Sequence, residues 1–205
     1  LVVTDSVGCQ ADGSMTLREP PPINISRAGD QYPGGFDISC FGLEDGIIDI
    51  DVSGSHTDRQ DLQFEWTKDE DPGFFETAED INNLSVGTFN VLVTDTFNCT
   101  GTASFTLEQP DEIILTVEDT SNYNGFDISC KSFSDGYADL TISGGYGEFN
   151  YDWDSPSGAP IDDTASLDQN NLSAGTYTLR ATDSINCYKE WSFELLEPDT
   201  VIINP

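Results

Sequence analysis

The sequence predicts an all-β protein built from tandem β-sandwich modules that form a semi-rigid rod. Three observations support this prediction. A block of nearly 90 residues occurs twice, apolar and polar residues alternate along short segments, and every repeat ends at a proline. Arrays of similar modules usually set reach or multiply weak contacts, and they seldom contain a catalytic site. The repetition therefore favours a structural or binding role over catalysis.

The repeat is visible in two ordered motifs. Residues 36–40 and residues 126–130 both read Phe-Asp-Ile-Ser-Cys. Residues 83–89, Asn-Leu-Ser-Val-Gly-Thr-Phe, return in similar form at residues 171–177. Because the motifs keep the same order and nearly the same spacing, the chain contains two complete modules of the same kind.

A third copy is represented only by its late part. Residues 3–9 match residues 93–99 and residues 181–187, and each of the three segments ends in cysteine. We therefore expect the chain to be a piece of a tandem array that begins inside a repeat. The predicted boundaries are 1–22 for the C-terminal strands of a preceding repeat, 23–111 for the first complete module and 112–205 for the second.

The first strong strand signal in each module follows an Asp-Gly turn. Residues 46–52 and residues 136–142 alternate with period two, which is the pattern of a half-buried strand. In the first of them the pattern turns Ile48, Ile50 and Val52 toward the core.

The next predicted strands carry a tryptophan each, at Trp66 and Trp153. The central strand of a sandwich often carries its largest core side chain, so we interpret both as core residues and not as sugar-stacking platforms. Two further strands are predicted in each module. They are residues 87–95 and 103–107 in the first module, and residues 175–183 and 191–195 in the second.

Proline ends each repeat, at Pro20, Pro110 and Pro198. Proline removes a hydrogen-bond donor and stiffens a junction. Only Asp111 and Glu112 are expected to be free between the modules, because residues 113–117 already read as a strand. Seven or so short strands per module, joined this closely, predict immunoglobulin-like sandwiches in a semi-rigid row.

Charge excludes some partners. Seven basic against 38 acidic residues give a formal net charge of −31. Nucleic-acid binding needs a basic surface, so we expect no nucleic-acid partner. Docking on anionic lipid needs cations, and no apolar run approaches the length of about 18 residues that a membrane span needs, so we expect no direct membrane insertion. The acidic residues have a simple interpretation as a solvated surface. The alternative is calcium binding, since calcium prefers carboxylate and carbonyl oxygens.

Calcium is the only cofactor that the sequence suggests, and the signal is weak because no EF-hand loop occurs. The candidate ligands recur at matched places in the two modules: Asp37, Asp127, Asp45 and Asp135. Asp45 and Asp135 precede glycine and are read first as turn residues. Three other aspartates are expected to cap the turn before the late cysteines: Asp5, Asp95 and Asp183.

Catalysis is not expected, and no catalytic residue is assigned. The only histidine is His56, and the second repeat has no counterpart to it. A nucleophile–histidine pair would therefore belong to one module alone. Carboxylates are too abundant for any one pair to suggest glycoside hydrolysis.

The five cysteines indicate disulfides in an oxidising compartment, extracellular or periplasmic, because histidine is almost absent and zinc ligation is disfavoured. They occupy early positions (Cys40, Cys130) and late positions (Cys9, Cys99, Cys187) of the repeats. The preferred pairing is within repeats, Cys40–Cys99 and Cys130–Cys187, which leaves Cys9 unpaired. The early and late positions lie at opposite poles of a plain sandwich, however. The alternative pairing therefore joins Cys40 to Cys187 across the junction.

Taken in order, these motifs resemble the SprB repeat, which is named after the gliding-motility adhesin of Bacteroidetes. The resemblance rests on Ile-Ser-Cys, Asp-Gly, a Trp strand, Leu-Ser-x-Gly-Thr-Tyr/Phe, Thr-Asp-x-x-Asn-Cys and a closing Glu-Pro, and it covers nearly the whole chain. It implies a cell-surface filament exported by the type IX system and moved by outer-membrane motility machinery. It also implies O-glycosylation at Asp-Ser/Thr-apolar sequences: Ser6, Thr164, Ser184, Thr200 and, less closely, Thr96.

The sequence thus predicts an extracellular stalk or adhesive filament whose partners are neighbouring repeats and external surfaces or polysaccharide. The alternative is a module that itself binds glycan or a protein partner, with or without calcium. A third hypothesis is an accessory module of a secreted polysaccharide-degrading enzyme. Exposed aromatic side chains beside carboxylates would favour the binding module, whereas fully buried aromatics would favour the stalk.

Overall fold

The computed structural model describes residues 1–55, 61–156, 161 and 163–202, and it consists of antiparallel strands. A hairpin precedes two modules. The hairpin comprises β1 (Val2–Thr4) and β2 (Gln10–Asp12). Module 1 comprises β3 (Asn24–Ala28), β4 (Gly46–Ser53), β5 (Gln63–Lys68), β6 (Asp71–Glu76), β7 (Ile81–Leu84), β8 (Gly87–Thr94) and β9 (Thr100–Leu107). Module 2 comprises β10 (Asp111–Thr120), β11 (Gly136–Gly145), β12 (Asn150–Asp154), β13 (Gln169–Leu172), β14 (Gly175–Thr182) and β15 (Tyr188–Leu195).

Each module is a two-sheet sandwich. In module 1 the sheets have the orders β3-β4-β7 and β6-β5-β8-β9, and in module 2 the orders β10-β11-β13 and β12-β14-β15. Each core takes side chains from both of its sheets, such as Ile50 with Val91 in module 1 and Leu140 with Leu179 in module 2. The all-β, immunoglobulin-like fold class is therefore confirmed, with a separate core in each module. The part of the chain that the structure describes contains no helical segment that could span a membrane.

The predicted core positions are confirmed. Ile48 and Ile50 are fully buried and Val52 is partly buried, so β4 turns the expected face inward. Trp66 and Trp153 are also buried, and each indole N–H donates to a backbone carbonyl, of Ala78 at 2.9 Å and of Ser166 at 3.0 Å. A buried indole needs such an acceptor, so both tryptophans are core residues and not binding platforms.

The prediction of free linker residues is wrong. Asp111 and Glu112 belong to β10, where Asp111 pairs with Gly145. Pro110 is itself buried. The predicted boundary at residue 111 therefore falls inside the first strand of module 2, and only residues 108–110 separate the two sandwiches.

The N-terminal hairpin repeats the end of a module without its sheets. Val93 and Leu107 of module 1 are fully buried. The equivalent side chains in the N-terminal segment, Val3 and Leu17, are 58% and 83% exposed. The hairpin keeps the local turn of the repeat because that turn depends on hydrogen bonds within a few residues. In module 1 the equivalent side chains are buried against the other strands of the sandwich, and among the described residues the hairpin has no such strands around it.

Candidate functional site

The two modules are joined by a disulfide between Cys40 and Cys187, whose Cα atoms are 5.6 Å apart across a sequence separation of 147. The Cys187 sulfur also lies 3.1 Å from the carbonyl oxygen of Ser39. Cys9, Cys99 and Cys130 are free. The modules are therefore covalently linked at their junction, where exposed aromatic side chains and charged groups also lie.

The preferred within-repeat pairings, Cys40–Cys99 and Cys130–Cys187, are wrong, and the alternative across the junction is confirmed. The amides of Asp37 and Ile38 donate to the Glu108 carbonyl, which holds the early cysteine segment at the end of β9. Cys99 precedes the start of the same eight-residue strand. Such a strand is roughly 26 Å long, whereas a disulfide needs Cα atoms within about 7 Å.

Module 2 repeats this separation. The amides of Asp127 and Ile128 donate to the Leu196 carbonyl, just beyond the end of β15, while Cys187 precedes its start. Cys130 and Cys187 therefore also lie at opposite poles of their module. The early cysteine of a module therefore lies too far from the late cysteine of the same module to bond with it.

A capped turn presents each late cysteine. An oxygen of Asp183 accepts hydrogen bonds from the amides of Ile185 at 3.0 Å and Cys187 at 2.9 Å. Asp5 and Asp95 accept the same two bonds in their own turns, so the predicted capping role is confirmed. The amides of Cys9 and Val7 lower the pKa of Asp5, because they favour the ionised carboxylate.

Two of the calcium candidates tie the early cysteine segment to its own module. Asp37 is buried, forms an ion pair with Arg27 at 2.7 Å, and accepts hydrogen bonds from Gln31 and from the Glu108 amide. Asp127 accepts the equivalent bond from the Leu196 amide at 2.8 Å. Both oxygens of Asp37 and one oxygen of Asp127 therefore accept bonds within the fold.

The other two calcium candidates, Asp45 and Asp135, directly precede β4 and β11 and do not lie in turns, so their first interpretation as turn residues is wrong. Asp45 accepts from both the amide and the hydroxyl of Ser39, and Asp135 does the same with Ser129. These bonds lower the pKa of Asp135, the hydroxyl contributing most. Across the described ranges no three His, Cys, Asp or Glu side chains come together as a metal site. The structure thus assigns all four carboxylates to hydrogen bonding. His56 lies outside the described residues.

An aromatic contact accompanies the disulfide. The rings of Phe36 in module 1 and Tyr146 in module 2 meet edge to face, with centroids 5.6 Å apart and an interplanar angle of 87°. Gly34 sits against both rings with a φ of +88°. A Cβ there would come within 2.7 Å of each ring, so this close approach needs glycine.

Beside the disulfide lies an open cleft of about 440 Å³ between the modules. Its rim carries Phe41 and Tyr188, which are 49% and 55% exposed, next to Asp111 and Glu112. The Lys189 ammonium lies 3.1 Å from Glu112 on the same rim. Aromatic faces beside carboxylates suit a carbohydrate or a basic peptide.

The cleft was not predicted from the sequence. Phe41 and Tyr188 occupy positions where the other repeat has Lys131 and Thr100. This difference between the two repeats is the sequence signal that could have indicated the cleft. The two side chains come from separate modules and are brought together only by the junction. The Arg180 guanidinium lies 3.8 Å from the centroid of the Tyr188 ring, which holds that ring over the sheet.

The predicted O-glycosylation positions are all exposed: Ser6, Thr96, Thr164, Ser184 and Thr200. Ser184 differs from the others in one respect. Its hydroxyl accepts from the Glu148 amide at 2.9 Å and donates to the Glu148 carbonyl at 3.1 Å. A sugar on Ser184 would replace that donated bond, so this position is the least free of the five.

No protein-family model and no curated protein matches the chain. Among solved structures, it is similar to the three N-terminal domains of the Highly Immunogenic Outer Capsid protein (Hoc) of bacteriophage RB49. The identity is 18%, the TM-score is 0.38, and the match covers 87% of this chain and 59% of that one. It is also similar to murine CEACAM1b, at 17% identity and a TM-score of 0.26, with 74% and 92% covered. The fold class rests on the sheets and cores described above.

Proposed function

We propose that the chain is a stalk segment of a large secreted cell-surface adhesin, part of a filament used in gliding motility and surface attachment. The observation that carries the proposal is the junction. Two sandwiches of one repeat type are separated by only residues 108–110 and are held by the Cys40–Cys187 disulfide. Such a junction restricts the angle between modules, which suits a spacer.

The sequence motifs and the chemistry of the chain support the same proposal. The ordered motifs resemble the SprB repeat, which suggests export by the type IX system. A disulfide is typical of proteins in oxidising compartments, which supports a location outside the cytoplasm. The net charge of −31 keeps neighbouring filaments apart and soluble. The proposal gives no reaction chemistry to either module.

Small-angle X-ray scattering of the 205-residue chain tests the stalk. A single globule of this length has a radius of gyration of about 17 Å. We expect a clearly larger value and a distance distribution with an extended tail. The Cys40→Ser variant is the matched control, and it should show a broader distribution because the junction loses its covalent link. A compact profile near the globular value would contradict the stalk.

A second function, ligand binding at the junction cleft, is favoured by the exposed pair Phe41 and Tyr188 beside Asp111 and Glu112. A glycan array probed with the oxidised chain tests it. Tyr188→Thr and Phe41→Lys place at each position the residue of the other repeat, so each variant keeps a side chain the fold already accepts. Loss of a glycan signal in these variants supports binding at the cleft. An unchanged signal removes it.

Glycosylation is a further part of the proposal. Intact-mass measurement of protein from its native host should show hexose increments, and peptide mapping should find less sugar on Ser184 than on Thr96. Absence of any increment would remove this part and leave the stalk unaffected.

A further inference from the structure

The pole of module 2 that faces away from module 1 carries the same residue types that module 1 uses to contact module 2. Cys130 and Phe126 occupy the positions of Cys40 and Phe36, at an offset of 90. In module 1 the cysteine is bonded and the phenylalanine ring meets Tyr146. In module 2 Cys130 is a free, exposed thiol and Phe126 is 39% exposed. The surface that module 1 uses is therefore present a second time and is open.

The backbone of this surface is already formed. Asp127 and Ile128 donate to the Leu196 carbonyl as Asp37 and Ile38 donate to Glu108. Asp135 accepts from the amide of Ser129 at 3.1 Å, the same distance as in the equivalent bond of module 1. Cys130 is thus placed for bonding by its own module, before any partner arrives.

The complementary surface is equally preformed in module 1. Cys99 occupies the position of Cys187, and its amide donates to Asp95 at the 2.9 Å found between Cys187 and Asp183. Cys187 is 6% exposed beneath the early segment of module 1, whereas Cys99 is free and only partly buried. The two turns differ in exposure because module 1 covers the Cys187 turn, whereas no module among the described residues covers the Cys99 turn.

The sequence after Pro198 indicates what covers the Cys130 surface. Residues 199–202 read Asp-Thr-Val-Ile after Pro198, as residues 111–114 read Asp-Glu-Ile-Ile after Pro110. Ile113 is 6% exposed in β10, whereas Val201 is 89% exposed. Residues 199–202 therefore have the sequence of a first strand and lack the sheet that would bury it.

We propose that the Cys130 surface binds the late-cysteine turn of a further module of this repeat type, placed after module 2, and that a disulfide closes the contact. The Cys99 turn receives the early cysteine of a preceding module in the same way. Two thiols lose two protons and two electrons to form each S–S bond, and a disulfide oxidant of the compartment is reduced to its dithiol. The array is then a staggered ladder in which every module is bonded to its successor. This inference deepens the proposed stalk and rests on it for the identity of the occupant.

The test extends the full chain by one module. A copy of residues 118–205 placed directly after Pro205 continues the repeat at an offset of 88, so that residues 199–202 begin its first strand. The protein is produced under oxidising conditions and its non-reduced peptides are mapped by mass spectrometry. We expect Cys130 bonded to the added counterpart of Cys187, Cys40–Cys187 retained and Cys99 free.

Asn124 stands where module 1 has Gly34, so its side chain would meet the tyrosine ring of the added module. The extended chain is therefore also made with Asn124→Gly, which removes that side chain. A Cys130 that stays free, or bonds to Cys99, in both extended chains would overturn the proposal.

Docking of the added module can be measured without formation of the Cys130 disulfide. In an extended chain whose added late cysteine is replaced by serine, Cys130 cannot form the proposed bond. We expect it to react with a maleimide at least several-fold more slowly than in the 205-residue chain, because the added module covers it. An unchanged rate would overturn the docking surface. An elongated 205-residue chain in scattering, together with a Cys130 that stays free in both extended chains, would support the stalk proposal and overturn the staggered ladder.

Discussion

The ring of Tyr146 in module 2 lies edge-on against Phe36 of module 1, with centroids 5.6 Å apart. This contact lies at the same junction as the Cys40–Cys187 disulfide, and its closeness depends on a glycine beside it. The junction is therefore defined by packing as well as by a covalent bond, and the two contributions can be separated by mutation.

Gly34→Ala should destabilise the junction. Gly34 and Gly35 both have positive φ, +88° and +84°, so alanine is strained at either position by about 1 kcal/mol. Only at Gly34 would the added Cβ also meet the Tyr146 and Phe36 rings, at 2.7 Å. We expect Gly34→Ala to lower Tm by several degrees more than Gly35→Ala in differential scanning calorimetry. Equal shifts would show that the ring contact contributes nothing.

Cys40→Ser should uncouple the modules. A cross-link over a separation of 147 residues contributes roughly 5 kcal/mol in the chain-entropy account, provided that the reduced state is fully unfolded. We expect a lower Tm and, in calorimetry, two transitions where the oxidised chain shows one. Cys130→Ser, which removes a free thiol, is the control and should leave the melting curve unchanged. A Cys40→Ser curve identical to the wild type would rule out the assigned bond.

Asp183→Ala should weaken the turn that presents Cys187. The buried carboxylate accepts from the amides of Ile185 and Cys187, and from that of Tyr146 at 2.9 Å. Leaving these amides without their charged acceptor should cost about 3 kcal/mol. We also expect slower formation of the disulfide on refolding, measured by thiol trapping.

Asp95→Ala is the matched control, because the same turn in module 1 presents the free Cys99. It should lower the stability of module 1 and leave the rate of disulfide formation unchanged. An equal slowing in both variants would mean that the turn acts through overall stability alone.

The pH dependence of module 2 should reflect the bond between Asp135 and Ser129. The hydroxyl and amide of Ser129 lower the pKa of Asp135 below its ordinary 3.8, since both favour the ionised form. The stabilisation is therefore complete above pH 3.8 and is lost as the pH falls through the lower pKa of the folded state. Ser129→Ala should lower Tm at neutral pH, and the difference from the wild type should vanish in strong acid. A difference that stays constant with pH would contradict this assignment.

Asp139→Asn should change Tm at neutral pH in the direction opposite to that expected for Ser129→Ala. The charge of Asp168 raises the pKa of Asp139, so the folded state disfavours the ionised form. The resulting penalty is present above that raised pKa and disappears as the pH falls through it. We expect the variant to raise Tm at neutral pH by about 1–2 °C, with no gain in acid. Asp49→Asn, at the equivalent position of module 1, provides the comparison in thermal melts at both pH values.

The sequence predicted the strands well because their signal is local. The alternation that buries Ile48 and Ile50, and the aspartates that cap the cysteine turns, depend on neighbours a few residues away. The preferred pairing of Cys40 was wrong because the structure keeps Cys40 at the pole of its sandwich opposite Cys99. That placement is set by hydrogen bonds such as Asp37 to Glu108, which join residues 71 apart. The cleft was missed for a related reason, since Phe41 and Tyr188 meet only after the modules dock.

The separation between the bonded cysteines has a mechanical consequence. When the two ends of the chain are pulled apart, tension passes from residue 40 to residue 187 through one sulfur–sulfur bond. Residues 41–186, roughly 500 Å of contour length when extended, lie outside that path. They include β4 to β14 and most of both cores. In an oxidised pair, stretching therefore cannot extend residues 41–186, and reduction would allow that segment to lengthen the chain.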